Sequence, residues 1–95
     1  MPTTVVNINK QRCDVSIMRP SIFGNRYHIG IHGDRDYCVD RHKIDFLERI
    51  ENDPDFKREV LKLKNKTIGC VCKPKRCHGD NIADYLNSLD NAKTD

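Results

Sequence analysis

Apolar and polar positions fall into short blocks along this chain, and the blocks predict alternating strands and helices. Thr3-Thr4-Val5-Val6-Asn7-Ile8 is β-branched and short, and predicts a first strand. Asn9 to Arg12 is polar and predicts a turn. Asp14-Val15-Ser16-Ile17-Met18 alternates and predicts a second strand, which Arg19-Pro20 ends because the residue before proline avoids helical geometry. From Ser21 to Arg35 neither period holds. From Asp36, read as an N-cap, apolar residues at Val39, Ile44, Phe46, Leu47 and Ile50 predict an amphipathic helix to about Glu51. Asp53 as cap and Pro54 at the first helical position start a second helix, with Phe56, Val60, Leu61 and Leu63 inward. Thr67 to Cys72 predicts a buried third strand. A turn at Lys73 to Arg76 leads to a last helix, capped by Asp80, with Ile82, Tyr85, Leu86 and Leu89 on one face and a frayed tail from Asp90 to Asp95.

This order predicts a small α/β domain, Rossmann-like, with two or three layers. A mostly parallel sheet of three or four strands would carry about three helices. The 95 residues fit a single domain, 1–95, with its core over about 4–89. Parallel sheets bind ligands at the carboxyl ends of their strands. Here those ends carry Asn7, Arg19-Pro20 and the segment from Cys72 to Asp80.

Composition narrows the class. Seventeen Lys and Arg against fourteen Asp and Glu give +3, too mild a surplus to mark a nucleic-acid binder by itself. No apolar run approaches the ~20 residues of a membrane helix, and the N-terminus has no signal-peptide pattern. The five cysteines are an odd number, which argues against a complete disulfide framework. The expected compartment is a reducing cytoplasm, where clustered cysteines serve as metal ligands or reactive thiols.

Three cysteines fall in Cys70-Val71-Cys72-Lys73-Pro74-Lys75-Arg76-Cys77-His78-Gly79-Asp80, which admits several chemistries. Cys70, Cys72, Cys77 and His78 are a legitimate zinc set. Yet same-face strand residues lie ~6–7 Å apart, whereas thiolates ~2.3 Å from one zinc need about 4 Å. Alternatively, Cys77 is a reactive thiol, its pKa lowered at a helix start beside Lys75, Arg76 and His78. His78 would then be its base or a general acid; in a glycosyl-transfer enzyme His78 and Asp80 would be the acid/base candidates. A third reading makes His78-Gly79-Asp80 an anion cradle, with Gly79 admitting a close ligand. Cys70 and Cys72 also suit a core strand as small hydrophobes. Cys13 and Cys38 read as incidental.

A second constellation joins Arg19-Pro20-Ser21, Gly24-Asn25 and Gly33-Asp34-Arg35. Arginines offer bidentate phosphate contacts, and glycines offer tight turns with open N–H groups. Neither a P-loop nor the dinucleotide fingerprint is present; an ordinary surface loop would show the same residues.

The whole set resembles the domain-of-unknown-function family 4326, small proteins of phages and bacteria. The matching residues are the Asn7 strand, Asp14-Val15-x-Ile17-x-Arg19-Pro20-Ser21, Gly24-Asn25, Gly33-Asp34-Arg35 and Cys70-x-Cys72-x-Pro74-x-x-Cys77-His78-Gly79-Asp80, spanning about 4–89. Two positions depart from the family pattern: Arg26 stands where proline is frequent, and Val71 where an aromatic is. The resemblance implies an α/β domain and a viral origin; a viral chain would work in a host cytoplasm. It implies no reaction.

From the residues, the leading expectation is a pocket for a nucleotide or other phosphorylated molecule. Arg19 and Arg35 would hold phosphate, with Pro20, Ser21, Gly24, Asn25, Gly33 and Asp34 shaping the loop. Asn7 and Asp80 would bond ribose or base, and Cys72, Cys77, His78 and Gly79 would line the other end. As an enzyme it would cleave or transfer glycosyl bonds; as a binder it would sequester a nucleotide. A different class is a zinc-stabilised module touching nucleic acid through Lys62, Lys64, Lys66, Lys73, Lys75 and Arg76. A thin core also leaves a homodimer open.

Overall fold

The structure is a computed structural model. It describes residues 2–94, with side chains described through residue 89. The elements are β1 (Thr4–Asn7), β2 (Val15–Ser16), α1 (Arg35–Asn52), α2 (Pro54–Leu61), β3 (Thr67–Cys70) and α3 (His78–Thr94). The frayed tail predicted from Asp90 falls where side chains are not described, and Asp95 lies outside the described residues.

All three strands are shorter than their hydrophobic runs. The Asn7 carboxamide accepts the Asn9 N–H at 2.9 Å and turns the chain out of β1. Ile17 lies beyond β2 but still donates its N–H to the Gly69 carbonyl. Past Cys70 the chain bends into a turn closed by Lys75 N–H on the Cys72 carbonyl, leaving Val71 exposed. The sheet is wholly parallel with β3 central, in the order β1-β3-β2. Val5 and Val15 both register with Ile68 across it.

Order β1-β3-β2 requires the chain to cross β3 between its first two strands, and it does so without a helix. Side chains alternate along a strand. Ile68 and Cys70 therefore share one face, in the core with Ile82 and Leu86 of α3. Gly69 points to the other face, where Ile8 and Cys13 of the connection lie directly over it. A β-carbon on Gly69 would stand 2.5 Å from Cys13 Sγ and would also meet Ile8. Gly69→Ala should therefore lower stability by about 2 kcal/mol, an overpacking cost. Chemical denaturation measures it, and Cys13→Ala in the same chain should recover part of the loss.

The helix starts follow side-chain caps. Asp34, not Asp36, caps α1: its backbone is extended and its carboxylate accepts the Tyr37 N–H. Asp53 caps α2 through the Phe56 N–H, with Pro54 behind it as predicted. α3 begins at His78, before the predicted cap Asp80. Its third residue reaches back instead, Asp80 Oδ2 accepting the Cys77 N–H at 3.2 Å, the acidic half of a capping box.

The inward face of α1 also differs from prediction. Ile44 and Leu47 are exposed, while Cys38, His42, Phe46 and Ile50 form the buried stripe at four-residue spacing. A histidine fills one core position, so the stripe is hidden from an apolar count. Leu61 likewise lies at the surface, and Leu63 just beyond α2 is buried in its place. α1 packs on α2 and α3, and α3 packs on β1 and β3. No helix among the described residues is long and apolar enough to cross a membrane.

Candidate functional site

The carboxyl ends of the strands, the loop before α1 and the start of α3 meet around one cavity of about 340 Å³. Of the residues singled out in the sequence, Arg19, Asn25, Arg35, Cys72, Cys77 and His78 border it. Cys70, Arg76 and Tyr27 border it as well. The sequence places Arg76 beside Cys77 and in a basic surface, but not among the ligand-binding residues. Its place in the turn after β3, at the carboxyl edge, was the available signal.

The remaining predicted residues build the walls and do not face the cavity. Asn7 Nδ2 donates to the carbonyls of Val71 (3.3 Å) and Lys73 (2.9 Å), clamping the turn after β3. Asp80 Oδ1 pairs with the Lys73 ammonium at 2.5 Å, so both its oxygens serve that turn. Neither is placed to bond ribose, and Asp80 is not placed for acid–base work. Gly79 is filled by the fold itself: a β-carbon there would stand 2.7 Å from Ile17 Cδ1 and 3.0 Å from Val5 Cγ1. It lets α3 approach the sheet, not a ligand.

The same holds in the loop. Gly24 lies against Arg19, and Gly33 lies under the Tyr37 ring. The Ser21 hydroxyl accepts the Phe23 N–H, and Pro20 follows a cis peptide bond. Asp34 is spent on its cap. Asn25, buried, ties the loop to α1: Nδ2 donates to the Cys38 carbonyl at 3.1 Å and Oδ1 accepts the Tyr27 N–H at 2.9 Å.

The arginines divide into two kinds. Arg76 is neutralised by Asp36 (3.0 Å) and Asp40 (2.6 Å). Arg19 donates to the Asn25 carbonyl at 2.5 Å and Arg35 to the Arg76 carbonyl at 3.1 Å. Among the described residues neither of these two has a carboxylate partner. The cavity lining holds no carboxylate among those residues either. A held but uncompensated guanidinium pair at such an edge favours an anion.

His78 Nε2 lies 2.8 Å from the Ile17 carbonyl. A carbonyl only accepts, so Nε2 carries the proton and Nδ1 is left as an acceptor. Burial pushes its pKa down, and Arg19 adds to this. Its neighbour His42 is held by Asn81 Nδ2 at 3.1 Å, with ring centroids 5.1 Å from His78. Burial first, and His78 second, lower the His42 pKa to about 3. An unfolded histidine titrates near 6.5. As pH falls below that value the unfolded chain takes up a proton that folded His42 refuses, so stability declines down to about pH 3. Between pH 6.5 and 5 the expected loss is about 2 kcal/mol, at about 1.4 kcal/mol per pH unit. Denaturation midpoints against pH measure it, and His42→Phe should flatten the slope.

In the reactive-thiol reading Cys77 is the acidified sulfur; the geometry favours Cys70 in that place. Cys70 and Cys77 lie 3.1 Å apart, sulfur to sulfur. The Cys77 thiol, with the N–H groups of Cys72 and Lys73, draws the Cys70 pKa down to about 6. Sharing its proton with Cys70, together with burial, pushes Cys77 up. Among the described residues no three His, Cys, Asp or Glu gather as a metal-holding group. His78 of the expected zinc set is turned to Ile17. Of the basic residues considered for nucleic acid, Lys62, Lys73 and Arg76 are engaged by carboxylates. All five cysteines are free, Cys13 and Cys38 among them.

The family model described as "Domain of unknown function (DUF4326)" matches residues 4–88. An "uncharacterized 12.4 kDa protein in nrdA-td intergenic region" of Enterobacteria phage T4 is 40% identical over 86 residues, covering 90% of this chain and 78% of the phage protein. No solved structure matches the chain. With nearly the whole described fold inside that match, the chain belongs to the DUF4326 family.

Proposed function

We propose that this chain binds a small phosphorylated molecule of nucleotide type in the cavity at the carboxyl edge of the sheet. The phosphate sits between Arg19 and Arg35, and the organic part lies toward Tyr27, Cys72 and His78. The carrying observation is the charge balance. Two guanidiniums are fixed by backbone carbonyls, free of carboxylates among the described residues, at a cavity of about 340 Å³ whose lining is likewise free of them. That volume lies within the usual range for small-ligand sites.

The same balance favours binding over glycosyl cleavage. That reaction ordinarily uses a pair of carboxylates, and Asp80 is committed to Lys73 and the Cys77 N–H. His78 Nδ1 is an acceptor at the cavity, and it supports proton transfer as the second reading.

Calorimetric titration of the full chain tests both. Nucleoside mono- and diphosphates and a dinucleotide should bind, with affinity falling as salt rises, and the matching nucleosides should not. Equal affinity for nucleosides and nucleotides, or binding of neither, would sink the proposal. Chromatography of the recovered ligand decides turnover: intact ligand supports the binder, and a product abolished by His78→Ala supports the enzyme.

A further inference from the structure

Cys70 ends the central strand and Cys77 precedes α3, yet the turn between them brings their sulfurs to 3.1 Å. A disulfide bond is ~2.05 Å long, so the two sulfurs need to close by only about 1 Å. Both residues are only 2% exposed to bulk water, but both border the cavity, so a small reagent can reach them there. The backbone amides of Cys72 and Lys73 favour the Cys70 thiolate, against the nearby Asp80 charge and burial. The Lys73 ammonium, held by Asp80, lies within electrostatic reach of both sulfurs. This turn therefore sets two thiols in contact at the cavity wall, with a lysine close by.

We propose that Cys70 and Cys77 form a peroxide-reactive dithiol site, in which Cys70 attacks a small hydroperoxide and Cys77 resolves the product to a reversible disulfide. The Cys70 thiolate attacks one oxygen of hydrogen peroxide. The S–O bond forms as the O–O bond breaks, and the departing hydroxide takes a proton to become water. Cys70 is then a sulfenic acid, oxidised by the two electrons the peroxide gained. The Cys77 sulfur attacks Cys70 Sγ: the S–S bond forms, the S–O bond breaks, and hydroxide leaves with the Cys77 proton as a second water. In sum, two thiols and one peroxide give one disulfide and two waters. An added dithiol reverses the change by exchange. The site is independent of the phosphate reading, since it uses neither Arg19 nor Arg35.

The test treats the reduced full chain with stoichiometric hydrogen peroxide, followed by intact-mass and peptide mapping. The expected result is loss of two hydrogens with no oxygen gained, a single Cys70–Cys77 link, and full reversal by dithiothreitol. Cys70 should be consumed at least about tenfold faster than Cys13, Cys38 or Cys72, because thiolate character sets the rate. In Cys77→Ser, Cys70 should stop at the sulfenic acid and be trapped by dimedone. Should that variant fail to fold, the wild-type map decides alone. Preferential oxidation of Cys13 or Cys72, a link from Cys70 to either of them, or purified chain with stoichiometric zinc on these thiols would overturn the proposal.

Discussion

Replacing Arg19 and Arg35 together by glutamine should weaken binding of a phosphorylated ligand about a hundredfold, which is about 2.7 kcal/mol. Hydrogen bonds to a charged partner contribute about 1.5–3 kcal/mol each. Arg19 is exposed and Arg35 half-buried, so water and salt screen both and the lower end applies. Each single variant should then lose about tenfold. Arg76→Gln should lose far less, about threefold, although it borders the same cavity, because Asp36 and Asp40 already compensate its charge. This ranking separates the proposed site from a general attraction to positive surface. Equal losses at all three positions would mean that net charge, not the held pair, does the binding. Titration calorimetry at two salt concentrations reads the ranking, with unchanged denaturation midpoints as the check on folding.

Ile68→Ala should destabilise the fold by about 3–4 kcal/mol. Ile68 is fully buried at the centre of β3, registered with Val5 on one side and Val15 on the other. Its side chain belongs to the core cluster with Ile17, Ile82 and Leu86, all at 0% exposure. The central strand cannot shift to close the gap without breaking two ladders, so the cavity term is kept. A chain of this length holds about 5–14 kcal/mol in total, and the expected fall in melting temperature is roughly 15–25 °C. Ile31→Ala is the control: Ile31 is 79% exposed, and its loss should cost under about 0.5 kcal/mol. A small effect at Ile68, matching that at Ile31, would show that β3 is not the centre of the core.

The same residues show why some assignments were legible and others were not. Asp53-Pro54 announces α2 because its cap and first turn are local chemistry. The start of α1 is ambiguous in sequence because Asp34 and Asp36 are both competent caps; the extended backbone at Asp34 decides it, and Asp36 is left for Arg76. The Arg19 and Arg35 pair was legible because both flank predicted element ends at the carboxyl edge. The roles of Gly24, Gly33 and Gly79 were not, since a glycine that admits a ligand and one that admits Tyr37 or Ile17 look identical in sequence.

By itself the sequence determined a small α/β domain with a parallel sheet, the boundary between α1 and α2, and the nearness of Arg19, Arg35, Cys72, Cys77 and His78 to element ends. These follow from periodicity, proline and caps, which act within a few residues. Only the tertiary structure decided which of those groups are free. Asn7 and Asp80 are consumed by the turn after β3, Arg76 by α1, and Cys77 by Cys70. Such pairings join atoms from separate segments. Whether a carboxylate, a thiol or a guanidinium is available for chemistry depends on what the fold sets beside it, and no local pattern encodes that neighbour.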